Sequence, residues 1–294
     1  MGLERWESAY SIRDFGGFGD GQPSPWLVLG GGGLRGLAHI GACEALSEAG
    51  IRPEGIIGTS IGALIGALAA SGMPPAEMRE RSLALQREDI LRVNRRAVWI
   101  NGIRQLSVFR GDALRKHLAD LLPEGGWDAL DIPVLVNATD LGDGSTVWFG
   151  SGARTDQSLV DAVYASAALP VFYPPFQAGG RAFVDGGIGC SLPLEKAEEE
   201  GAARIIAIDV GSGEEADAEE TLDGGMLTVH ERVVSIMTWR RRRDLLAGWK
   251  GPPLLYVRPR LAGYGTFDFD NIGYFLDEGY RATRAALAGE TSPR

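Results

Sequence analysis

The sequence predicts an α/β protein with a mostly parallel central sheet. Short apolar runs alternate with helical patterns along the whole chain. Two glycine-bearing turns, at 31–36 and 58–62, each follow an apolar run and precede a helical one. The chain has 294 residues and 45% hydrophobic content, enough to bury a sizeable core.

Residues 1–24 read as a tail rich in glycine, serine and charge, and 25–290 as one domain with no internal boundary. The first strand is expected at 26–29 ("WLVL"), with its helix at about 34–48 and Gly50 closing it. The next strand is about 55–58. A small-residue helix follows ("SIGALIGALAASG"), ending at Gly72, and then a helix with prolines at its start ("PPAEMRERSLALQ"). The stretch 87–110 has no clean period and reads as mixed or lid-like, with Val98, Trp99 and Ile100 as its apolar part.

"DALRKHLADLLP" is helical. "IPVLVNATDL" and "STVWFG" are strands joined by a Gly-Asp-Gly turn. "SLVDAVYASAAL" is a helix with Ser158 and Asp161 at capping-box spacing. After "RAFVDGG" come a helix at about 194–200, a strand "RIIAIDVG" and an acidic loop at 214–223. A helical stretch at about 226–249, a strand "LLYVRP" and a last helix near 271–288 complete the chain.

The net charge of −10 argues against a nucleic-acid partner, which selects a basic face. Two cysteines, Cys43 and Cys190, are too few for a disulfide framework and fit a reducing compartment. No apolar stretch reaches the ~18 residues of a spanning helix. The first residues match neither a signal peptide nor a myristoylation site. The expectation is a soluble cytoplasmic protein, with peripheral contact at the inner face of the membrane left open.

Gly31-Gly32-Gly33-Leu34-Arg35-Gly36 fits the dinucleotide fingerprint G-x-G-x-x-G. That reading also wants an acidic residue ending the second strand. Glu54 has about the right spacing, but it precedes that strand. What ends the strand is Gly58-Thr59-Ser60-Ile61-Gly62, the G-x-S-x-G of a nucleophile elbow. Acyl transfer needs a serine and donors for an oxyanion, and free N–H groups in a glycine turn at a helix start supply such donors. Together the two turns favour a transient oxyanion over a bound phosphate.

A serine nucleophile needs a proton acceptor. The histidines are His39, His117 and His230. His39 is expected to pack inside the first helix and His117 to be solvated on an amphipathic one. The order Ser60, Asp185, His230 would mimic an α/β-hydrolase triad, but His230 lies in a continuous helical pattern. The other acceptor is Asp185, which ends a short apolar strand and precedes Gly186 and Gly187. An aspartate aligned with the serine serves as base directly. Asp-Gly is also a common turn pair.

These residues together resemble the patatin-like phospholipase family. Its pattern is G-G-G-x-R/K-G, then G-x-S-x-G, then D-G-G/A, here 31–36, 58–62 and 185–187. "GGGGLRGLAHIG" and "GTSIGAL" are similar to the bacterial branch and to the catalytic domain of neuropathy target esterase, as are "ASAALPVFYPPF" and "FDNIGYFLDEGYRA". The resemblance implies a three-layer α/β/α fold and hydrolysis of a lipid carboxylic ester without metal or cofactor. It implies Ser60 as nucleophile, Asp185 as base, and an oxyanion hole in the turn Gly31, Gly32, Gly33, Leu34 and Arg35. Arg35 would either position that turn or meet a lipid phosphate. Gly36, Gly58, Gly62, Gly186 and Gly187 would be motif glycines.

The stretch 233–249 ("VVSIMTWRRRRDLLAGW") mixes apolar residues with four consecutive arginines. Basic amphipathic helices lie on anionic membranes. The favoured reading is a surface helix whose arginines pair with the acidic loop.

Overall fold

The structure, a computed structural model, describes residues 10, 11, 15, 21–93, 106–212 and 218–289. Its centre is a parallel array of short apolar strands. β2 (Trp26–Leu29) lies between β3 (Gly55–Gly58) and β8 (Ile205–Ile208). β9 (Leu254–Val257) extends the array beyond β8, and β4 (Val134–Asp140) extends it beyond β3.

The margins are antiparallel. β5 (Thr146–Gly150) and β7 (Arg181–Asp185) both pair with β4, and β6 (Phe176–Ala178) pairs with β7. Within the stretch read as a tail, β1 (Tyr10–Ser11) pairs with β9, and Phe15 is buried under the Arg204 guanidinium.

The parallel strands are buried on both faces, as a sheet covered by helices on each side must be. Along β2, Leu27 and Leu29 join the larger core, while Trp26 and Val28 join the smaller one on the opposite face. The larger core contains α1 (Ala38–Glu48), α2 (Ile61–Ala70), α5 (Gly111–Leu121), α6 (Leu159–Ala167) and α11 (Ile272–Leu287). The smaller core takes Leu194 and Ala197 of α8 (Leu194–Glu199) and Leu246 of α10 (Gly225–Gly248). The result is a three-layer α/β/α protein. Between these lie α3 (Pro75–Leu83), α4 (Arg87–Ile90), α7 (Gly186–Gly189) and α9 (Ala218–Asp223).

Several expectations shift. The first helix starts with a 3-10 turn, Gly33–Leu37, and becomes α-helical only at Ala38. The described part of the acidic loop is helical, as α9. Most of the lid-like stretch, including Val98, Trp99 and Ile100, lies outside the described residues, as do 213–217. Ser158 caps α6 as its spacing predicts, its hydroxyl accepting from the Asp161 amide at 3.1 Å. Cys43 and Cys190 are free thiols.

The first and last major helices cross with their backbones in contact. A Cβ on Gly41 of α1 would stand 1.9 Å from the Leu276 carbonyl oxygen, and one on Gly279 of α11 would stand 1.9 Å from that of Ala38. Neither neighbour is a side chain that can swing away, so even one methyl group forces the helices apart. Gly41→Ala and Gly279→Ala are each expected to cost about 2–4 kcal/mol, read as a lower denaturant midpoint with an unchanged slope.

Candidate active site

The carboxyl ends of three neighbouring parallel strands converge. Leu29, at the end of β2, is in register with Gly58 of β3 and Ile208 of β8. The loops that leave them therefore lie side by side. These carry the glycine turn, Ser60, and Asp209 with Ser212.

Ser60 sits at the tightest point, at φ 56° and ψ −121°, between β3 and α2. A side chain with positive φ costs on the order of 1–3 kcal/mol and persists only where the surroundings enforce it. Here they do. A Cβ on Gly62 would fall 2.2 Å from the Leu29 carbonyl oxygen, and one on Gly58 would fall 2.5 Å from the Ala63 Cα. The missing side chains let α2 press against the strand ends. The Ser60 amide donates to the Ser166 hydroxyl of α6 at 2.8 Å, which fixes the turn from the other side.

Asp185 arrives on β7, opposite Ala138 of β4. Its amide donates to the Ala168 carbonyl at 3.0 Å, and its own carbonyl accepts from the Thr139 hydroxyl at 3.1 Å. The carboxylate accepts from the Gly187 amide at 2.7 Å and lines the same cavity as Ser60. Burial pushes this carboxyl up to about 6, against the opposing pull of the nearby Ser60 hydroxyl and the Gly187 amide. Gly186 lies against Asn137, whose amide nitrogen donates to the carbonyls of Gly186 and Cys190.

In the glycine turn, two of the expected donors are already engaged. The Gly31 amide donates to the Ser191 carbonyl at 3.1 Å, and the Leu34 amide to the Thr266 carbonyl at 2.8 Å. Among the described residues, the amides of Gly32 and Gly33 donate to no backbone carbonyl. Gly33 has a φ of 62°, and Gly36 lies against Ile61, the first residue of α2.

Arg35 is buried, and each of its guanidinium nitrogens is committed. Nε donates to the Gly32 carbonyl at 3.1 Å, Nη1 to the Tyr264 carbonyl at 3.0 Å, and Nη2 to the Ser212 hydroxyl at 2.8 Å. Burial, then the nearby charge of Arg242, lower its pKa to about 10, so it stays charged at pH 7.

Behind this loop is a buried ion pair, with Arg242 Nε 3.1 Å from Asp209 Oδ2. Burial alone would raise Asp209. The charges of Arg242 and Arg258 and hydrogen bonds from Tyr256 and Gly211 reverse that and hold it below its ordinary value. Arg242 also donates to the Ser212 carbonyl at 2.8 Å.

The histidines stand apart. His39 is fully buried in α1, with Nε2 2.8 Å from the Gly30 carbonyl oxygen, and burial lowers it to about 4. His117 is half-buried rather than solvated, because it borders an apolar pocket beneath α1, α2 and α3. His230 is one turn before Val234 on α10 and does not line the cavity that holds Ser60 and Asp185. A triad through His230 is therefore not formed. Asp185 shares the cavity with the serine, and no histidine lines it. Nor does the nucleotide reading find its partner, since Glu54 lies at the amino end of β3, opposite the edge where the glycine turn opens. Among the described residues, no group of three or more His, Cys, Asp or Glu is placed to hold a metal ion.

Ser60, Asp185 and the 31–35 turn open into one cavity of about 1020 Å³, its solvent-open mouth included. Beyond the polar floor its walls are apolar, with Ile61, Leu64, Leu114, Leu118, Leu169 and Phe267. Ser166, Asn137 and Thr139 hold the floor in place, and the sequence reading passed over them. The signal for two of them was legible. Asn137 and Thr139 are polar alternates in the otherwise apolar run "VLVNAT", and a buried polar side chain needs a partner.

The electrostatics of Asp185 give a stability prediction. Its folded pKa of about 6 lies above the unfolded 3.8, so the fold disfavours the ionised form. The penalty is full above pH 6, on the order of 3 kcal/mol, and fades as pH falls towards 4. Asp185→Asn is expected to raise unfolding free energy over wild type at pH 8, with the difference shrinking at pH 5 and near zero below pH 4. His39 has the opposite sign and is common to both proteins, so it cancels from this difference. Urea unfolding at the three pH values checks it.

The sequence model of the family described as patatin-like phospholipase matches residues 27–197. An uncharacterized NTE family protein of Mycobacterium tuberculosis is 33% identical over 202 residues, covering 69% of this chain and 53% of that protein. Human patatin-like phospholipase domain-containing protein 6 is 29% identical over 301 residues, covering 90% of this chain and 20% of that protein. The chain thus spans about half the length of the mycobacterial relative and a fifth of the human one. Among solved structures, VipD from Legionella pneumophila matches with a TM-score of 0.53 at 17% identity, over 99% of this chain and 72% of that one, a likeness of fold alone. On the family match, which spans more than half of its length, this chain belongs to the patatin-like phospholipase family.

Proposed function

We propose that the protein is a serine lipid acyl hydrolase that works through a Ser60–Asp185 dyad without histidine. The observation that carries this reading is that Ser60, at the strained turn, and the buried Asp185 carboxylate line one apolar cavity beside the free amides of a glycine turn. Asp185 takes the hydroxyl proton as Ser60 Oγ attacks the carbonyl carbon of the ester. The carbonyl oxygen becomes an oxyanion and is met by the amides of Gly32 and Gly33. The intermediate collapses to an acyl-serine, and the departing alcohol takes the proton from Asp185. Water then attacks the acyl-serine, its proton passing through Asp185 to Ser60 Oγ, and the carboxylic acid leaves.

In this reading Gly31 and Leu34 shape the oxyanion turn, since their amides are spent on Ser191 and Thr266. Arg35 clamps the turn. With three of its five N–H groups committed to Gly32, Tyr264 and Ser212 and the side chain buried, it acts as a brace of the turn and not as a phosphate ligand. The apolar cavity fits an acyl chain, and phospholipids and lysophospholipids are the substrate class.

Hydrolysis of p-nitrophenyl butyrate by wild type, Ser60→Ala, Asp185→Asn and His230→Ala tests the dyad. Ser60→Ala is expected to lose on the order of 10⁴-fold or more in kcat/KM. Asp185→Asn should lose about 10²–10⁴-fold, because an amide takes no proton. His230→Ala should stay within about twofold. A dead but folded His230→Ala would refute the dyad.

The pH profile is a second check. The base must be ionised in the free enzyme, so kcat/KM is expected to fall to half near pH 6 and tenfold more per unit below it. A midpoint near 4 would place the titrating group elsewhere.

A further inference from the structure

α10 presents two different faces. Val234, Thr238 and Arg242 line the cavity. About a third of a turn round the helix, Met226, Val229, Val233 and Met237 are exposed, Met226 at 81% and Met237 at 66%. Steps of three, four and four residues put these four on one stripe, about 16 Å long. Single exposed apolar residues need no explanation, whereas a continuous stripe beside a cavity mouth marks a surface that something covers.

The charge on the helix says what. α10 carries five arginines against two carboxylates in a chain whose net charge is −10. Two of its arginines find partners away from the acidic loop, of which residues 213–217 lie outside the described residues. Arg242 turns inward to Asp209, and Arg243 stacks over Trp239 and pairs with Asp244. Arg240 and Arg241 are exposed, and neither is held in an ion pair among the described residues. Arg240 continues the apolar stripe one step past Met237. Pairing of two copies through this face would bring two net-positive helices together, which like-charge repulsion opposes. An anionic lipid surface instead meets both the apolar stripe and the arginines.

We propose that the exposed face of α10 seats the protein on an anionic lipid bilayer, with the cavity mouth at the headgroup level. The proposal rests on reading the cavity as a lipid-ester site. Met226, Val229, Val233 and Met237 enter the interface, and Arg240 and Arg241 meet lipid phosphates. Ile188, itself partly exposed, lines the cavity beside the adjoining face of α10, so an ester at the bilayer surface lies close to Ser60.

Co-sedimentation of the full chain with vesicles of phosphatidylcholine and phosphatidylglycerol, or of phosphatidylcholine alone, tests this. Wild type is expected to bind the anionic vesicles, and to do so less well at high salt. The triple substitution M226D/V233D/M237D should weaken binding roughly tenfold or more. R240Q/R241Q should lose about tenfold on anionic vesicles and little on neutral ones. None of these positions touches the dyad, so p-nitrophenyl butyrate turnover should be unchanged in both variants. Unchanged vesicle binding by the triple variant overturns the proposal. So does a wild-type dimer that the triple substitution dissociates while vesicle binding is absent, which makes the stripe a subunit interface. If binding behaves as expected but no ester is hydrolysed, docking stands and the hydrolase reading fails.

Discussion

The site depends on one close contact, between the carbonyl end of β2 and the first turn of α2. The Leu29 carbonyl oxygen occupies the place where a side chain on residue 62 would begin. With glycine there, α2 starts directly against the strand ends, and the chain between them must turn through Ser60 at positive φ. The hydroxyl is thereby held at the sheet edge at the head of a helix, where the helix field favours negative charge. The strain at Ser60 is borne by packing, with the buried strands β2 and β3 on one side and the Ser166 bond on the other.

A second set of interactions holds the glycine turn over that serine. Arg35 ties the Gly32 carbonyl to Tyr264 and Ser212, residues far along the chain. Arg242 ties Ser212 in turn to Asp209 at the end of β8. The turn is thus positioned by two buried cations and the last third of the sequence. Breaking either would leave a buried charge or carbonyl without a partner, which costs more than the contact itself contributes. α10 supplies Arg242 from one face and the exposed apolar stripe from another, so the same helix supports the turn and meets the exterior.

Burial makes the Asp185 carboxylate more basic and at the same time costs stability. A solvated aspartate near 3.8 would be a weak base. Held at about 6, it is a stronger one and still ionised at neutral pH. The same shift weakens the fold at neutral pH, a trade between stability and a prepared carboxylate. The bonds from Gly187 and to Ala168 keep the carboxyl aimed at Ser60, where a free aspartate would turn to water.

The sequence alone determined the α/β class, the parallel strands and both turns, and it singled out the serine and aspartate that the fold brings to one cavity. These follow from local rules, since short apolar runs between helices make a covered sheet, and glycine at fixed spacing makes a tight turn. The Ser158 cap and the buried place of His39 were readable for the same reason. Tertiary structure alone decided which amides of the turn stay free, because Ser191 and Thr266, which occupy those of Gly31 and Leu34, come from more than 150 residues away. It decided that Arg35 is a clamp, that Arg242 turns inward, and that His230 stands off the cavity. It also decided that Ser166 braces the turn at Ser60. Each of these is a hydrogen bond or ion pair between distant segments, and no local pattern encodes the partner. Spacing along a chain fixes which atoms can be aligned, and only the packed fold fixes which of them are already taken.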